Sequence, residues 1–239
     1  MEILEKGARS LGLELTPEQL DRFQLYREEL VAWNRRVNLT SITGYEDIQA
    51  RHFLDSLTVF LAWPEKETSA RTSIIDIGTG CGMPGIALKI ACPEIRLALL
   101  EATRKKVDFL EYIVGRIKLD GVEVIHNRAE NAARISRYRE EFEIVVSRAV
   151  APLASLSELA IPFCRVGGRV IALKKGDLTL ELAQAEKAIR LVGGRLNEVK
   201  PIETDMLPER RSLIIIDKVA PTPNLYPRRA GMASKRPLV

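Results

Sequence analysis

The strand-like run Ile74-Ile75-Asp76-Ile77 empties directly into Gly78-Thr79-Gly80-Cys81-Gly82-Met83-Pro84-Gly85, and a helical stretch follows. Glycines in such a turn remove the Cβ atoms that would hold a ligand away from the backbone, and a helix start presents N–H groups that have no partner inside the helix. Strand, glycine-rich turn and helix in that order point to an α/β sheet with a ligand at the carboxyl end of the strand. Gly80 to Gly85 satisfies G-x-G-x-x-G, a pattern that nicotinamide dinucleotides and S-adenosylmethionine share, so the turn alone does not separate them. Asp76 tips the balance. An acid at the end of this strand suits the cationic amino-acid portion of S-adenosylmethionine, directly or through water, and repels a pyrophosphate.

The rest of the chain continues the alternation. Runs rich in β-branched residues at 73–77, 96–100, 122–126, 143–147, 168–174, 198–203 and 211–218 read as seven strands, separated by helices at 84–91, 103–118, 128–137, 153–163 and 178–192. The expected fold is a doubly wound, mostly parallel seven-stranded sheet of the Rossmann-like class I methyltransferase type. The N-terminal stretch reads as all-helical. A short helix stops at Gly12, the capping box Thr16-Pro17-Glu18-Gln19 opens a second with Leu20, Phe23, Tyr26, Leu30, Trp33 and Val37 as its apolar stripe, and 46–60 reads as a third. The expected organisation is a helical extension over 1–65, a cofactor-binding domain over 66–219 and a basic, proline-rich tail over 220–239.

Three further strand ends converge on the same crevice. Leu97-Ala98-Leu99-Leu100 ends in Glu101, 19 residues after Gly82, where an adenosine-containing cofactor needs a carboxylate for its ribose hydroxyls. Asn127-Arg128-Ala129-Glu130 follows the third strand and can embrace the adenine; Ser147-Arg148-Ala149 ends the fourth. Gly78 and Gly80 supply bare backbone between them.

Charge and composition narrow the rest. The formal net charge is +4, and residues 220–239 carry Arg228, Arg229, Lys235 and Arg236 without an acid; removing these four from 36 Lys and Arg leaves 32, equal to the 32 Asp and Glu. The excess therefore lies in the tail, which reads as a solvated end or as a flexible arm for phosphates. Cys81, Cys92 and Cys164 have no paired spacing, and with only His52 and His126 a metal site is not expected. No leader or membrane span is visible, so a cytoplasmic, monomeric protein is expected.

Several stretches together resemble one family. Trp33-Asn34 with Asn38-Leu39-Thr40, Arg51-His52-Phe53-Leu54-Asp55-Ser56, the run from Asp76 to Gly85, and Ser147-Arg148-Ala149 come in order, followed by Ala172-Leu173-Lys174 and the closing Tyr226-Pro227-Arg228-Arg229-Ala230-Gly231 with Ser234-Lys235. The chain resembles the ribosomal RNA small subunit methyltransferase G family, also called glucose-inhibited division protein B. The resemblance implies methylation of N7 of a guanine in the decoding-centre loop of 16S rRNA, with 16S rRNA or the small subunit as partner. It implies cofactor positions at Gly78, Met83, Ala129, Glu130 and Arg148.

Guanine N7 carries an in-plane lone pair, so no proton need leave before attack, and no catalytic base or covalent nucleophile is expected. Catalysis then rests on alignment and on electrostatics around the reacting atoms. Arg148 is the first candidate to contact cofactor or base, with Arg51, His52 and Lys174 as substrate-side candidates. His52 reads equally as a buried helix histidine, and Lys174 as an exposed strand end. Cys81 has no task at N7. Aromatic residues make up only 5% of the chain, too few for a stacking platform, so RNA recognition should rest on shape and charge. The competing readings are a methyltransferase for another substrate, a noncatalytic RNA-binding module that senses S-adenosylmethionine, and a nicotinamide dehydrogenase.

Overall fold

The computed structural model describes residues 1–63 and 72–239. Seven strands form one sheet: β1 Ser73–Ile77, β2 Arg96–Glu101, β3 Val122–His126, β4 Phe142–Arg148, β5 Cys164–Lys175, β6 Gly194–Ile202 and β7 Arg211–Lys218, in the order β3-β2-β1-β4-β5-β7-β6. All neighbours are parallel except β7, which runs antiparallel to both β5 and β6. The order reverses between β1 and β4, and an open sheet of this kind leaves a crevice at the carboxyl ends of its strands there.

Helices α1 Glu2–Ser10 and α2 Pro17–Asn34 open the chain. The capping box on α2 forms as expected: Gln19 N–H donates to Thr16 Oγ1, and Thr16 N–H donates to Gln19 Oε1 at 2.8 Å. The third helix, expected as one piece over 46–60, is composite. It is α-helical over Tyr45–Asp47, a π-helix over Ile48–Leu54, α-helical again over Asp55–Leu57 and a 3-10 helix over Thr58–Ala62; together these make α3. Burial on nearly every side of 48–57 leaves no single stripe to set the helical phase. The side chains of Arg148 and Ser56 also take up the carbonyls of Arg51 and His52.

Between the strands lie α4 Gly85–Ala91, α5 Arg104–Arg116, α6 Ala129–Ala132, α7 Leu153–Ala160 and α8 Thr179–Leu191; α9 Met232–Lys235 closes the chain. The helix expected over 128–137 is only α6. Arg139 Nη1 donates to the Ala133 carbonyl at 3.1 Å, engaging that oxygen just past the last turn of α6.

Alternating strand side chains serve two cores, as a sheet covered on both faces requires. Ile74, Leu97 and Leu99 pack with Leu4, Phe23, Tyr26 and Leu30 of the N-terminal helices and with α4 and α5. Ile75, Ile77, Ala98 and Leu100 pack with α7 and α8. The second core also takes in Tyr226, so the tail is neither a solvated end nor a free arm. Thr222, Tyr226, Pro227 and Ala233 are buried, and Arg139 donates to the carbonyls of Thr222 and Tyr226. No helix among the described residues is long and apolar enough to cross a membrane.

Candidate functional site

The glycine turn is stitched to the neighbouring strand by Gly78 and Thr79, whose N–H groups both donate to the Leu100 carbonyl at 2.9 and 3.1 Å. Asp76 lies wholly buried beneath the turn. Its Oδ2 accepts Thr79 Oγ1 at 2.6 Å and Gly85 N–H at 2.8 Å, while Oδ1 has no hydrogen-bond partner among the described residues. Burial pushes this carboxyl up to about 6, against the pull of Thr79, Gly85 and Arg148. The acid that sequence reading gave to the cofactor therefore first holds the turn in shape. From above, Tyr26 of α2 donates to the Cys81 carbonyl, so the N-terminal helices brace the turn they lie against.

On the β2–β3 side a cavity of ≈ 220 Å³ is lined by Gly78, Glu101, Asn127, Ala129, Glu130 and Ser234, among others. Glu101 forms its floor. One oxygen accepts Gly80 N–H at 3.1 Å and the other Thr103 N–H at 2.7 Å. A carboxylate oxygen has two acceptor sites, so each keeps one for a diol. Bare backbone at Gly78, a fixed carboxylate and the small Ala129 fit the nucleoside half of S-adenosylmethionine. Glu130 is differently occupied: its Oε1 accepts Gly231 N–H of the tail at 2.7 Å, with Arg128 at 3.4 Å. Burial alone would raise Glu130, but Gly231, its own backbone N–H and Arg128 together bring it below its ordinary value. Met83 is buried, with its sulfur 3.6 Å from Ser56 Oγ, so it meets a cofactor through its backbone or not at all.

Across the 149–151 segment lies a second cavity of ≈ 510 Å³, lined by Thr40, Arg51, His52, Asp55, Arg148, Lys174, Lys175 and Arg211, among others. The structure thus brings together Arg51, His52, Arg148 and Lys174, which come from three separate stretches of the sequence. Arg148 lines this cavity and not the nucleoside one. Its Nη1 donates to the Arg51 carbonyl at 3.0 Å and to Asp55 Oδ2 at 3.1 Å, and its Nη2 donates to His52 Nδ1 at 3.1 Å. An arginine only donates, so His52 is neutral with its proton on Nε2, where it meets Thr40 Oγ1 at 2.8 Å. Burial and then the Arg148 charge push His52 down to about 3. Lys174 holds the Ala151 carbonyl at 2.7 Å and Glu181 at 2.5 Å, and so positions the segment between the cavities. Within that segment Ala149 has φ +56°, a strained value for a residue with a side chain.

Four charged residues of this cavity, Asp55, Lys175, Glu181 and Arg211, were not among the sequence candidates. Asp55, 2% exposed, is the anionic centre of the group: Oδ2 pairs with Arg148, and Arg211 Nε lies 3.1 Å from Oδ1 without hydrogen-bond geometry. Arg211 begins β7 and faces Lys175 of β5 across the antiparallel register. No local pattern marks it, because only the pairing of β7 with β5 brings it to the crevice. Burial pushes the Cys81 thiol up, away from thiolate chemistry. Among the described residues no group of His, Cys, Asp and Glu could hold a metal ion.

The family described as rRNA small subunit methyltransferase G matches residues 19–213 of the chain. A relative named ribosomal RNA small subunit methyltransferase G from Dehalococcoides mccartyi (strain CBDB1) is 46% identical over 239 residues, covering 100% of both chains. One of the same name from Roseiflexus sp. (strain RS-1) is 46% identical over 238 residues, again covering 100% of both. Among solved structures, a SAM-dependent methyltransferase from Aquifex aeolicus aligns with TM-score 0.52 at 13% identity, covering 74% of this chain and 94% of that one. A variant of the 16S rRNA (adenine(1408)-N(1))-methyltransferase from Catenulisporales acidiphilia aligns with TM-score 0.52 at 12% identity, covering 66% and 90%. At such identities the structural likeness speaks for the fold.

Proposed function

Since the chain belongs to the ribosomal RNA small subunit methyltransferase G family, we propose that its two-chambered crevice serves transfer of a methyl group from S-adenosylmethionine to N7 of a guanine in the decoding-centre loop of 16S rRNA. The observation that carries this reading is the adjacency of two unlike chambers at the sheet's switch point. One offers bare backbone and the Glu101 carboxylate; the other gathers five basic side chains, Arg51, Arg148, Lys174, Lys175 and Arg211. A nucleoside fits the first and a polyanion the second.

When bound, the cofactor supplies a sulfonium-activated methyl group, and the protein's task is to align and to bind. Glu101 fixes the ribose, and the backbone from Gly78 to Gly82 receives the remainder of the cofactor. The 149–151 segment, held by Lys174, forms the partition past which the base must reach. Arg148, with its guanidinium immobilised by Asp55, His52 and the Arg51 carbonyl, sits at the substrate face as a fixed positive charge. In this reading it holds and orients the guanine so that N7 lies in line with the methyl group, while Asp55 offsets its charge beside a base that becomes cationic. No residue is asked to take a proton. The RNA must present the guanine unpaired or drawn out of its stack, and binding is salt-sensitive. The protein acts as a monomer in the cytoplasm, where its substrate is found.

The test is transfer of a labelled methyl group from S-adenosylmethionine to 16S rRNA or to subunits lacking the modification, followed by identification of the labelled nucleoside. The expected product is 7-methylguanosine at a single site. Label in another base, or none on RNA from a protein that binds the cofactor, overturns the substrate assignment.

A further inference from the structure

The C-terminal segment packs against the nucleoside chamber, and three contacts fix it there. Glu158 of α7 is 1% exposed, and its carboxylate accepts Arg228 N–H at 2.7 Å, Arg228 Nε at 2.9 Å and Arg228 Nη2 at 2.6 Å. Glu130 accepts Gly231 N–H at 2.7 Å, and Ser155 Oγ donates to the Ala233 carbonyl at 2.7 Å. A carboxylate as buried as Glu158 is costly without its cation, so docking of Arg228 is a condition of that burial. The consequence is to bring Ser234 to the chamber wall beside Gly78, Glu101 and Ala129. The Ser234 side chain is exposed, and its hydroxyl makes no hydrogen bond among the described residues.

We propose that Ser234 is a cofactor-contacting residue, and that the tail, clasped by Glu130 and Glu158, is a wall of the cofactor site. This rests on the reading that the nucleoside of S-adenosylmethionine occupies the chamber floored by Glu101. Glu130 then acts through the tail: it is a positioning residue, and its carboxylate is engaged by Gly231 before any adenine arrives. The excess positive charge of the chain sits on the same segment, with Arg229, Lys235 and Arg236 exposed on it. The proposed cofactor wall and the chain's excess positive charge therefore lie on one element.

Equilibrium binding of S-adenosylmethionine and of S-adenosylhomocysteine to the full chain tests this by calorimetry, with the melting temperature of the ligand-free protein as the control for folding. Ser234→Trp, which fills the chamber from the tail side, should weaken both ligands about thirtyfold. Ser234→Ala should weaken them about fivefold if the hydroxyl bonds the ligand. Neither should move the ligand-free melting temperature, because Ser234 supports nothing in the fold. The reference is Glu101→Ala, expected to lose about a hundredfold. If Glu101→Ala binds normally, the chamber is not the nucleoside site and the underlying reading fails. If Glu101→Ala loses binding but Ser234→Trp does not, the site stands and the tail is no part of it. As a second readout, S-adenosylhomocysteine should slow tryptic cleavage after Arg229 and Lys235 in the wild-type protein; equal cleavage with and without ligand also overturns the proposal.

Discussion

On the β2–β3 side the crevice is walled by backbone and the Glu101 carboxylate, whereas on the β5–β7 side it is walled by five cations, with Arg148 and Arg211 paired to Asp55, Lys174 to Glu181, and Arg51 and Lys175 to Glu209. The first side recognises shape and places a few hydrogen bonds, and it is lined by the turns that follow β1, β2, β3 and β4, with Ser234 of the tail beside them. The second recognises charge, and it is assembled from α3, the end of β4, the end of β5 and the start of β7. A small molecule of fixed form can be met by a few adjoining strand-end turns. A folded polyanion needs cations spread over a wide surface, and buried cations need a shared anion to hold them.

The largest effect that separates the two sides should come from Asp55→Ala. Arg148 and Arg211 are each only 15% exposed, and removing their common carboxylate leaves two poorly solvated cations. A destabilisation of about 4 kcal/mol is expected by urea denaturation. Cofactor affinity of the folded fraction should stay near that of the wild type, because Asp55 does not line the nucleoside chamber. If affinity falls as far as in Glu101→Ala, the two sides are one energetic unit and the comparison breaks.

Next is Arg148→Ala, which should lower kcat for rRNA methylation about a hundredfold, the usual cost of losing a contact that aligns the reacting atoms. Cys81→Ala should lower it far less, since Cys81 contributes its carbonyl to Tyr26 and its side chain only to packing. Equal losses would remove the division of roles between turn and cation cluster. Within the turn itself the glycines should differ. A Cβ on Gly82 would lie 2.4 Å from Ile86 Cδ1 and 2.6 Å from the Tyr26 hydroxyl, at a φ of +97°. Gly82→Ala is expected to cost about 3 kcal/mol. A Cβ on Gly80 meets nothing nearer than 3.9 Å, so Gly80→Ala should cost only about 1 kcal/mol, from its positive φ. If cofactor affinity nevertheless drops in Gly80→Ala, that open space belongs to the ligand.

This contrast also explains what could be read from the chain before folding it. The sheet and its turn were legible because strand periodicity and the glycine run are local signals, and Glu101 was legible because it ends a strand. The capping box of α2 was fully legible for the same reason. Arg211 was not, since nothing near it in sequence announces that β7 will run antiparallel beside β5. The π-helical stretch of α3 was hidden because its residues are buried nearly all round and give no phase. The tail was misread from its prolines and charge, because what docks it is a buried glutamate 70 residues away.

A further effect, smaller than that of Asp55→Ala, concerns the charge state of the cation side, and it depends on His52 staying neutral. Its folded value of about 3 lies below the ordinary 6.5, so above pH 6.5 both states are neutral and the native contribution is intact. As pH falls from 6.5 towards 3 the unfolded chain takes up a proton that the folded chain refuses, and stability drains away. Asp76 works in the opposite sense. Its folded value of about 6 exceeds the ordinary 3.8, so the folded state takes up the proton first and gains stability as pH falls between those values. The wild-type profile between pH 7 and 5 is therefore a difference of two slopes and says little by itself. Comparing wild type with His52→Gln isolates the histidine, because Asp76 is common to both. The stability gap between them should shrink by about 2 kcal/mol from pH 7 to pH 5, measured in paired denaturant titrations. A gap that stays constant would mean that His52 holds its proton in the folded protein, where Arg148 would then face a second cation and could not remain in its present position against Asp55.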